Sequence, residues 1–210
     1  ILRQLPLKNK TILITAGPTY EQIDPVRFIG NYSSGKMGFE IAKVASSLGA
    51  EVILVSGPSH ETVDGYNIKR IDVSSSDEMY DNVHQFYSKC DIAILSAAVS
   101  DFKPQVEATE KIKKCNAELE IKLEPTKDIL ASLGATKTHQ YLFGFALETN
   151  NELDNAKLKL KNKNLDLIVL NSLKDKGAGF GGTTNKVKFI NSNNEIVDHT
   201  LKSKIEVAQD

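Results

Sequence analysis

The feature that most constrains this chain is a series of short apolar runs, each stopped abruptly by turn residues. TILITA (11–16), EVILVS (51–56), DIAILSAA (91–98), YLFGFAL (141–147) and LDLIVL (165–170) are six to eight residues long and apolar without strict alternation. Strands of that kind are covered on both faces, as in parallel sheets. The first two runs end at Gly17-Pro18 and Gly57-Pro58, where a strand gives way to a turn. Between them, Met37, Ile41, Val44, Ala45 and Leu48 have helical spacing. This predicts a helix from near Gly35 to Leu48, closed by Gly49. Ile68–Val73 reads as a further strand. Ser75 and Ser76, followed by Asp77 and Glu78, supply helix-start chemistry for a segment reaching about Lys89. The rhythm predicts an α/β chain with a Rossmann-like, doubly wound, mostly parallel sheet.

Between these elements, Pro18–Ser34 reads as a long polar loop, and residues 101–118 form a charged stretch. Glu118–Leu123 alternates like a strand, Asp128–Leu133 suggests a short helix, and Asn150–Lys163 a lysine-rich one. A glycine-rich loop spans Gly177–Gly182. Lys186–Ile190 and Glu195–Val197 flank Asn191-Ser192-Asn193-Asn194 as the arms of a hairpin. Leu201–Asp210 reads as a last helix. Residues 11–210 are expected to form a single domain. Ile1–Lys10, without an initiator Met, reads as a linker remnant from a longer chain.

The 26 basic and 27 acidic residues nearly cancel, so no global field favours nucleic acid or an anionic membrane. Any anion must be held by a local site. Two cysteines, Cys90 and Cys115, with no CxxC pair, argue against a disulfide framework and a zinc site. The four scattered histidines argue against a transition-metal centre. No apolar run approaches the roughly 18 residues of a membrane span, and the start lacks a signal-peptide pattern. A cytoplasmic location is expected.

Ligands of open α/β sheets bind beyond the carboxyl ends of the strands, so the segments after the strands are the candidates. The first, Gly17 to Gly38, holds Thr19, Ser33, Ser34, Gly35 and Lys36 and ends at a helix N-terminus. That is either a phosphate or carboxylate site or a capped helix behind a surface loop. Gly30–Lys36 matches GxxxxGK, but Met37 stands where a P-loop needs Ser or Thr, and no strand directly precedes it. The second segment, Ser96-Ala97-Ala98-Val99-Ser100-Asp101, has small residues that admit a flat ring. It serves equally as a tight crossover. The third, Glu110-Lys111-Ile112-Lys113-Lys114, is either a lid for a polyphosphate or a solvated surface. In the fourth, Phe145 is followed by Lys159 and Lys163, which share a helix face. They either grip phosphates or face solvent.

Taken together, these segments resemble the phosphopantothenoylcysteine synthetase (phosphopantothenate–cysteine ligase) family, over essentially the whole chain. The most specific piece is ITAGPTYEQIDPVRFIGNYSSGKMG (14–38). AAVSDFKP (97–104), EKIKK (110–114), GFALETNN (144–151), KNLDLIVLN (163–171) and GAGFGGTTNKV (177–187) follow in family order. In bacteria this is the C-terminal half of a bifunctional protein whose other half is a flavin-dependent decarboxylase. The resemblance implies that CTP activates the 4'-phosphopantothenate carboxylate as an acyl-cytidylate, and that L-cysteine then displaces CMP. Mg²⁺ would bridge the nucleotide phosphates, with no side-chain metal ligands assigned.

The resemblance further implies that Asn31, Lys111 and Arg27 are catalytic. Ser96, Ala97, Ala98, Asp101, Lys111, Thr126, Asp128, Ile129, Phe145, Lys159 and Lys163 would contact nucleotide. Gly17, Thr19, Ser33, Ser34, Gly35 and Lys36 would serve the substrate phosphate. Residues 126–129 read TKDI where the family reads NPDI, and Gly30 replaces a more usual Ser. A homodimer is implied, with the C-terminal hairpin extension at its interface. Eukaryotic relatives favour ATP, whereas this motif style is that of the fused bacterial proteins. Two rival readings are a nicotinamide-dependent reductase and a non-catalytic nucleotide-binding module. The turn GPTYE in place of GxGxxG, and the missing Tyr-xxx-Lys pair, weigh against the first. The presence of both Asn31 and Lys111 weighs against the second.

Overall fold

The apolar runs pair side by side as parallel strands. A computed structural model of the protein describes residues 5–114, 118–172 and 181–210. Strand β1 is Thr11–Ala16, and a hairpin of β2 (Glu21–Asp24) and β3 (Arg27–Ile29) leads to helix α1 (Lys36–Ser47). Strands β4 (Glu51–Ser56) and β5 (Ile68–Asp72) precede α2 (Ser76–Tyr87) and β6 (Ile92–Leu95). A second hairpin joins β7 (Phe102–Pro104) to β8 (Leu123–Pro125). Then come α3 (Ile129–Thr136), β9 (Tyr141–Glu148), α4 (Glu152–Asn162) and β10 (Leu167–Ser172). The last elements are β11 (Thr184–Asn185), β12 (Val187–Asn191), β13 (Ile196–Asp198), β14 (Lys202–Ser203) and α5 (Lys204–Gln209).

The main sheet runs β13-β12-β10-β9-β6-β1-β4-β5. Six of its strands are parallel, and β12 and β13 extend it as an antiparallel hairpin. The central strand β1 explains the unbroken apolar run. Ile12, Ile14 and Ala16 pack with Phe39 and Ala42 of α1 on one face. On the other face Leu13 joins Met79 and Val83 of α2, Leu133 of α3 and Leu160 of α4. Helix α2 starts where Ser75 and Glu78 close a capping box, which satisfies two orphan amides at once.

Several sequence expectations need correction. Pro18–Ser34 is not a plain loop. Asp24 accepts from the Val26 and Arg27 amides at 2.9 Å, an Asx turn that folds β2 against β3, and Tyr20 stacks on Phe28 at 3.9 Å. Glu118–Leu123 alternates without forming a strand before Leu123, because residues 118–122 are exposed on both sides and no core asks for the apolar ones. The strand expected at 165–170 runs two residues later, because the Leu165 amide bonds back to Leu160 and completes the end of α4. Regular pairing of β6 stops at Leu95. Beyond it, Ala98 forms an isolated bridge with Pro18. The last helix begins only at Lys204, after β14 has paired with β11. Of the glycine-rich loop, residues 177–180 lie outside the described residues. Residues 5–10 turn back onto α1, with the Leu7 amide on the Leu48 carbonyl at 3.0 Å.

Gly57 closes the strand–turn junction beside β1. A Cβ built there lies 1.7 Å from the Pro18 carbonyl oxygen, whereas one at Gly182 meets nothing within 4 Å. Gly57→Ala is therefore expected to lower unfolding stability in urea by about 1–3 kcal/mol or more, and Gly182→Ala to stay within about 0.5 kcal/mol of the parent.

Candidate active site

Strands β1 and β6 lie next to each other at the point where the sheet order reverses, the place at which open α/β sheets bind ligands. Four bonds stitch together the loops that leave the two strands. The Ala98 amide donates to the Gly17 carbonyl at 2.9 Å, and the Thr19 amide donates to the Ala98 carbonyl at 3.2 Å. The Ser100 amide donates to Thr19 Oγ1 at 2.9 Å. Asn31 Nδ2 donates to the same Ala98 carbonyl at 2.6 Å, while Asn31 Oδ1 accepts from the Ser33 amide. Gly17 and Thr19, expected to bind phosphate, thus lock the loops, and neither lines the two cavities that flank this stitch.

The first cavity, of about 160 Å³, is lined by Ser33–Met37, Ser96, Asn171, Asn185 and Lys204. It therefore holds Ser33, Ser34, Gly35 and Lys36 as the sequence suggested. Its floor is the N-terminus of α1, which has no side-chain cap and no acidic residue in its first turn. The Gly35 and Lys36 amides reach the Ser33 and Ser34 hydroxyls at 3.3 and 3.4 Å, and the helix dipole favours an anion at such an end. Gly35 takes φ 81° there, and a Cβ on Gly38 would sit 2.6 Å from both Ala16 Cβ and Ser96 Oγ. Close helix–strand packing is what holds the helix end against this cavity. Lys204 is only 5% exposed. Burial, and then the neighbouring Lys36, push its pKa below the usual lysine value.

The second cavity, of about 300 Å³, shares the wall of Ala97, Ala98 and Phe145 with the first. Asp101, Thr126, Asp128, Ile129, Lys159 and Lys163 also line it. Every residue expected at the nucleotide is therefore here except Ser96, in the first cavity, and Lys111, which is exposed and lines neither. Lys159 Nζ donates to the Phe145 carbonyl at 2.9 Å. Burial, then Lys163, hold its pKa below the usual value. Lys163 pairs with Asp128 at 2.7 Å, and Asp128 also caps α3 through the Ala131 amide. Burial raises the Asp128 pKa, but the Lys163 bond and that amide more than offset it. Lys127, the departure in TKDI, turns to Asp77 at 3.1 Å and lies over the Tyr80 ring.

Arg27 stands apart from both cavities. Its guanidinium binds Asp24 and donates to the Ile112 carbonyl at 2.7 Å. The sequence reading missed the buried Asp24, and in the first cavity Asn171, Asn185 and Lys204. Asp24-Pro25 was a legible turn signal. Lys204 carried none, because the β11–β14 ladder and α5 bring it in from the far end of the chain. Among the described residues, no cluster of three or more His, Cys, Asp or Glu could hold a metal. No helix among them is long and apolar enough to cross a membrane.

Over residues 7–210 the chain matches the family described as DNA/pantothenate metabolism flavoprotein C-terminal domain. The chain belongs to this family. The coenzyme A biosynthesis bifunctional protein CoaBC of Bacillus subtilis (strain 168) is 44% identical over 203 residues, 97% of this chain and 50% of that protein. A cysteine/cysteine sulfinic acid decarboxylase from an unknown prokaryotic organism is 51% identical over 210 residues, 100% of this chain and 58% of that protein. The chain thus spans about half the length of these curated relatives. A crystal structure of the CoaBC C-terminal domain superposes with a TM-score of 0.82 at 42% identity, covering 97% of this chain and 92% of the other. A Cab2 variant solved with phosphopantothenate-cysteine shares the fold, with a TM-score of 0.76 at 19% identity, covering 95% of this chain and 84% of that one.

The Arg27 guanidinium holds the Asp24 carboxyl well below the usual carboxylate range. Burial opposes this, and the amides of Val26, Ile112 and Arg27 add to it. A carboxyl depressed on folding contributes stability that is complete above its unfolded pKa and is lost as pH falls toward the folded one. The stability advantage over Asp24→Asn is therefore expected to be constant from neutral pH down to about pH 4 and to disappear only under stronger acid, as measured by urea unfolding across pH.

Proposed function

We propose that this domain is a phosphopantothenate–cysteine ligase of coenzyme A biosynthesis, using CTP. The observation that carries the reading is the pair of cation-bearing cavities sharing the Ala97–Ala98–Phe145 wall. A nucleotide in the larger cavity would have its phosphates near Lys159 and Lys163. A second anion, the phosphorylated acyl substrate, would lie against the α1 N-terminus, Lys36 and Lys204. The relatives' names and the 42% identical CoaBC domain support the same assignment.

A carboxylate does not acylate an amine at neutral pH until its oxygen becomes a good leaving group. In the first step a carboxylate oxygen attacks the α-phosphorus, the bond to pyrophosphate breaks, and pyrophosphate leaves. In the second step the cysteine amine attacks the acyl carbon, the C–O bond breaks, and CMP leaves with the electron pair. Lys159 and Lys163 stabilise charge on the phosphates in a partly dry site. Asn31 Nδ2 carries a second hydrogen beyond the one given to Ala98, and it would hold the acyl oxygen as charge develops there. Lys111 would come over the leaving pyrophosphate.

Mg²⁺ would screen the phosphates. Asp128 is already engaged by Lys163, so the donor set fits a metal brought in by the nucleotide, with Asp101 as the other lining carboxylate. The reading includes a homodimer formed through the C-terminal hairpin, a cytoplasmic setting, and fusion in the full-length protein to a flavin-dependent decarboxylase.

The domain is mixed with 4'-phosphopantothenate, Mg²⁺ and either CTP or ATP, and pyrophosphate is followed with and without cysteine. The expected result is CTP-dependent pyrophosphate release, with the amide product and CMP formed only when cysteine is present. No release with either nucleotide from folded protein would leave a nucleotide-binding module as the better account. Asn31→Asp is expected to make the acyl-cytidylate yet stall before amide formation, which mass spectrometry of quenched mixtures detects. Lys159→Met, which keeps the side-chain volume but removes the charge, is expected to raise the nucleotide KM about 10–100-fold without changing the melting temperature downward.

A further inference from the structure

The charged segment Glu110–Lys114 has no regular secondary structure, yet one of its peptide units is held on both sides. The Ile112 amide donates to Asp24 Oδ2 at 3.1 Å, and the Ile112 carbonyl accepts from the Arg27 guanidinium at 2.7 Å. Four residues earlier, the Ala108 amide donates to the Ile23 carbonyl at 3.0 Å. All three attachments come from the β2–β3 hairpin. Asp24 is the centre of the arrangement. It is 0% exposed, its Oδ1 takes the two turn amides, and its Oδ2 takes Arg27 and Ile112. An Asx turn needs only the first pair. The second oxygen serves the neighbouring segment.

The hairpin is itself anchored at its base. The buried Glu21 carboxylate accepts from the Ser76 amide at 2.9 Å and the Ser76 hydroxyl at 3.0 Å, at the start of α2. The Tyr20 amide bonds the Ser74 carbonyl at 2.8 Å, and Tyr20 stacks on Phe28 across the pair. The return strand β3 then runs directly into Gly30 and Asn31. Three residues lie between Arg27 and Asn31, a span of at most roughly 13 Å. One rigid bracket thus carries Asn31 at its inner end and grips the peptide next to Lys111 at its tip.

We propose that Asp24 is a positioning residue for the ligase reaction, fixing the Glu110–Lys114 segment, and with it Lys111, relative to Asn31. This rests on the ligase reading above, but the bracket can be tested without it. In native protein, trypsin can cut after the exposed Lys111, Lys113 and Lys114, and the rate reports how often the segment leaves the bracket. Asp24→Asn removes the charge that binds Arg27 and Ile112. Arg27→Lys keeps a cation but removes the guanidinium that reaches both Asp24 and the Ile112 carbonyl, and it serves if the first variant folds poorly by circular dichroism. Both are expected to speed cleavage at these three lysines about tenfold with other sites unchanged.

In the pyrophosphate assay Asp24→Asn is expected to lose about 10–100-fold. In a Lys111→Gln background the same change is expected to cost less than about threefold, because both act on one group. Unchanged tryptic rates in folded variants overturn the bracket. Additive losses in the double variant overturn its action through Lys111. Failure of the ligase reading has a different signature, in which the parent protein releases no pyrophosphate while the tryptic difference persists.

Discussion

Ala98 is the residue on which the site depends. Its peptide donates to Gly17 and its carbonyl accepts from both the Thr19 amide and the Asn31 side chain. These bonds join the loop leaving β1 to the loop leaving β6 at the point where the strand order reverses. Without them the two loops would open independently, and the cavities would lose their common wall. Ala97 and Ala98 bring only small side chains to that wall, and Phe145 completes it.

The electrostatics follow from the same geometry. The chain is close to neutral overall, yet the first cavity is lined by Lys36 and Lys204 and the second by Lys127, Lys159 and Lys163. Lys159 and Lys204 are each held partly out of water, and burial depresses both. Glu148, Asp128 and Asp101 oppose that depression at Lys159, as Glu61 does at Lys204. Lys163 is steadied by Asp128, which also starts α3. Local placement of charge does what composition alone denied.

The sheet was legible in the sequence wherever strands are buried on both faces. β1 and β4 have the ends that the Gly-Pro stops suggest. Legibility failed where tertiary partners decide. Leu165 reads as strand but completes a helix end through Leu160. Leu119 and Ile121 alternate with charges but have no core to enter. The β2–β3 hairpin is held by two carboxylates, Asp24 and Glu21, and one ring stack, none of which leaves an apolar period. Within the site, Ala97 and Asp101 were readable as candidates because they follow β6, whereas Phe145 lies inside β9. Lys204 and Asn185 were not, since they join the cavity through a two-residue ladder from the chain's end. Arg27, expected to be catalytic, is engaged by Asp24 and the Ile112 carbonyl, contacts that no sequence pattern announced.

The central claim is that the carboxylate and the nucleotide α-phosphate react at the boundary the two cavities share, beside Ala97, Ala98 and Phe145. Its most direct test uses 4'-phosphopantothenate labelled with ¹⁸O in the carboxylate, incubated with CTP, Mg²⁺, cysteine and the domain. Phosphorus NMR and mass spectrometry of the nucleotide product then locate the label. The account predicts one ¹⁸O in CMP and none in released pyrophosphate or phosphate. Label in inorganic phosphate, with a nucleoside diphosphate as the other product, would mean that the terminal phosphate is attacked instead. That result would contradict the arrangement argued from the two cavities.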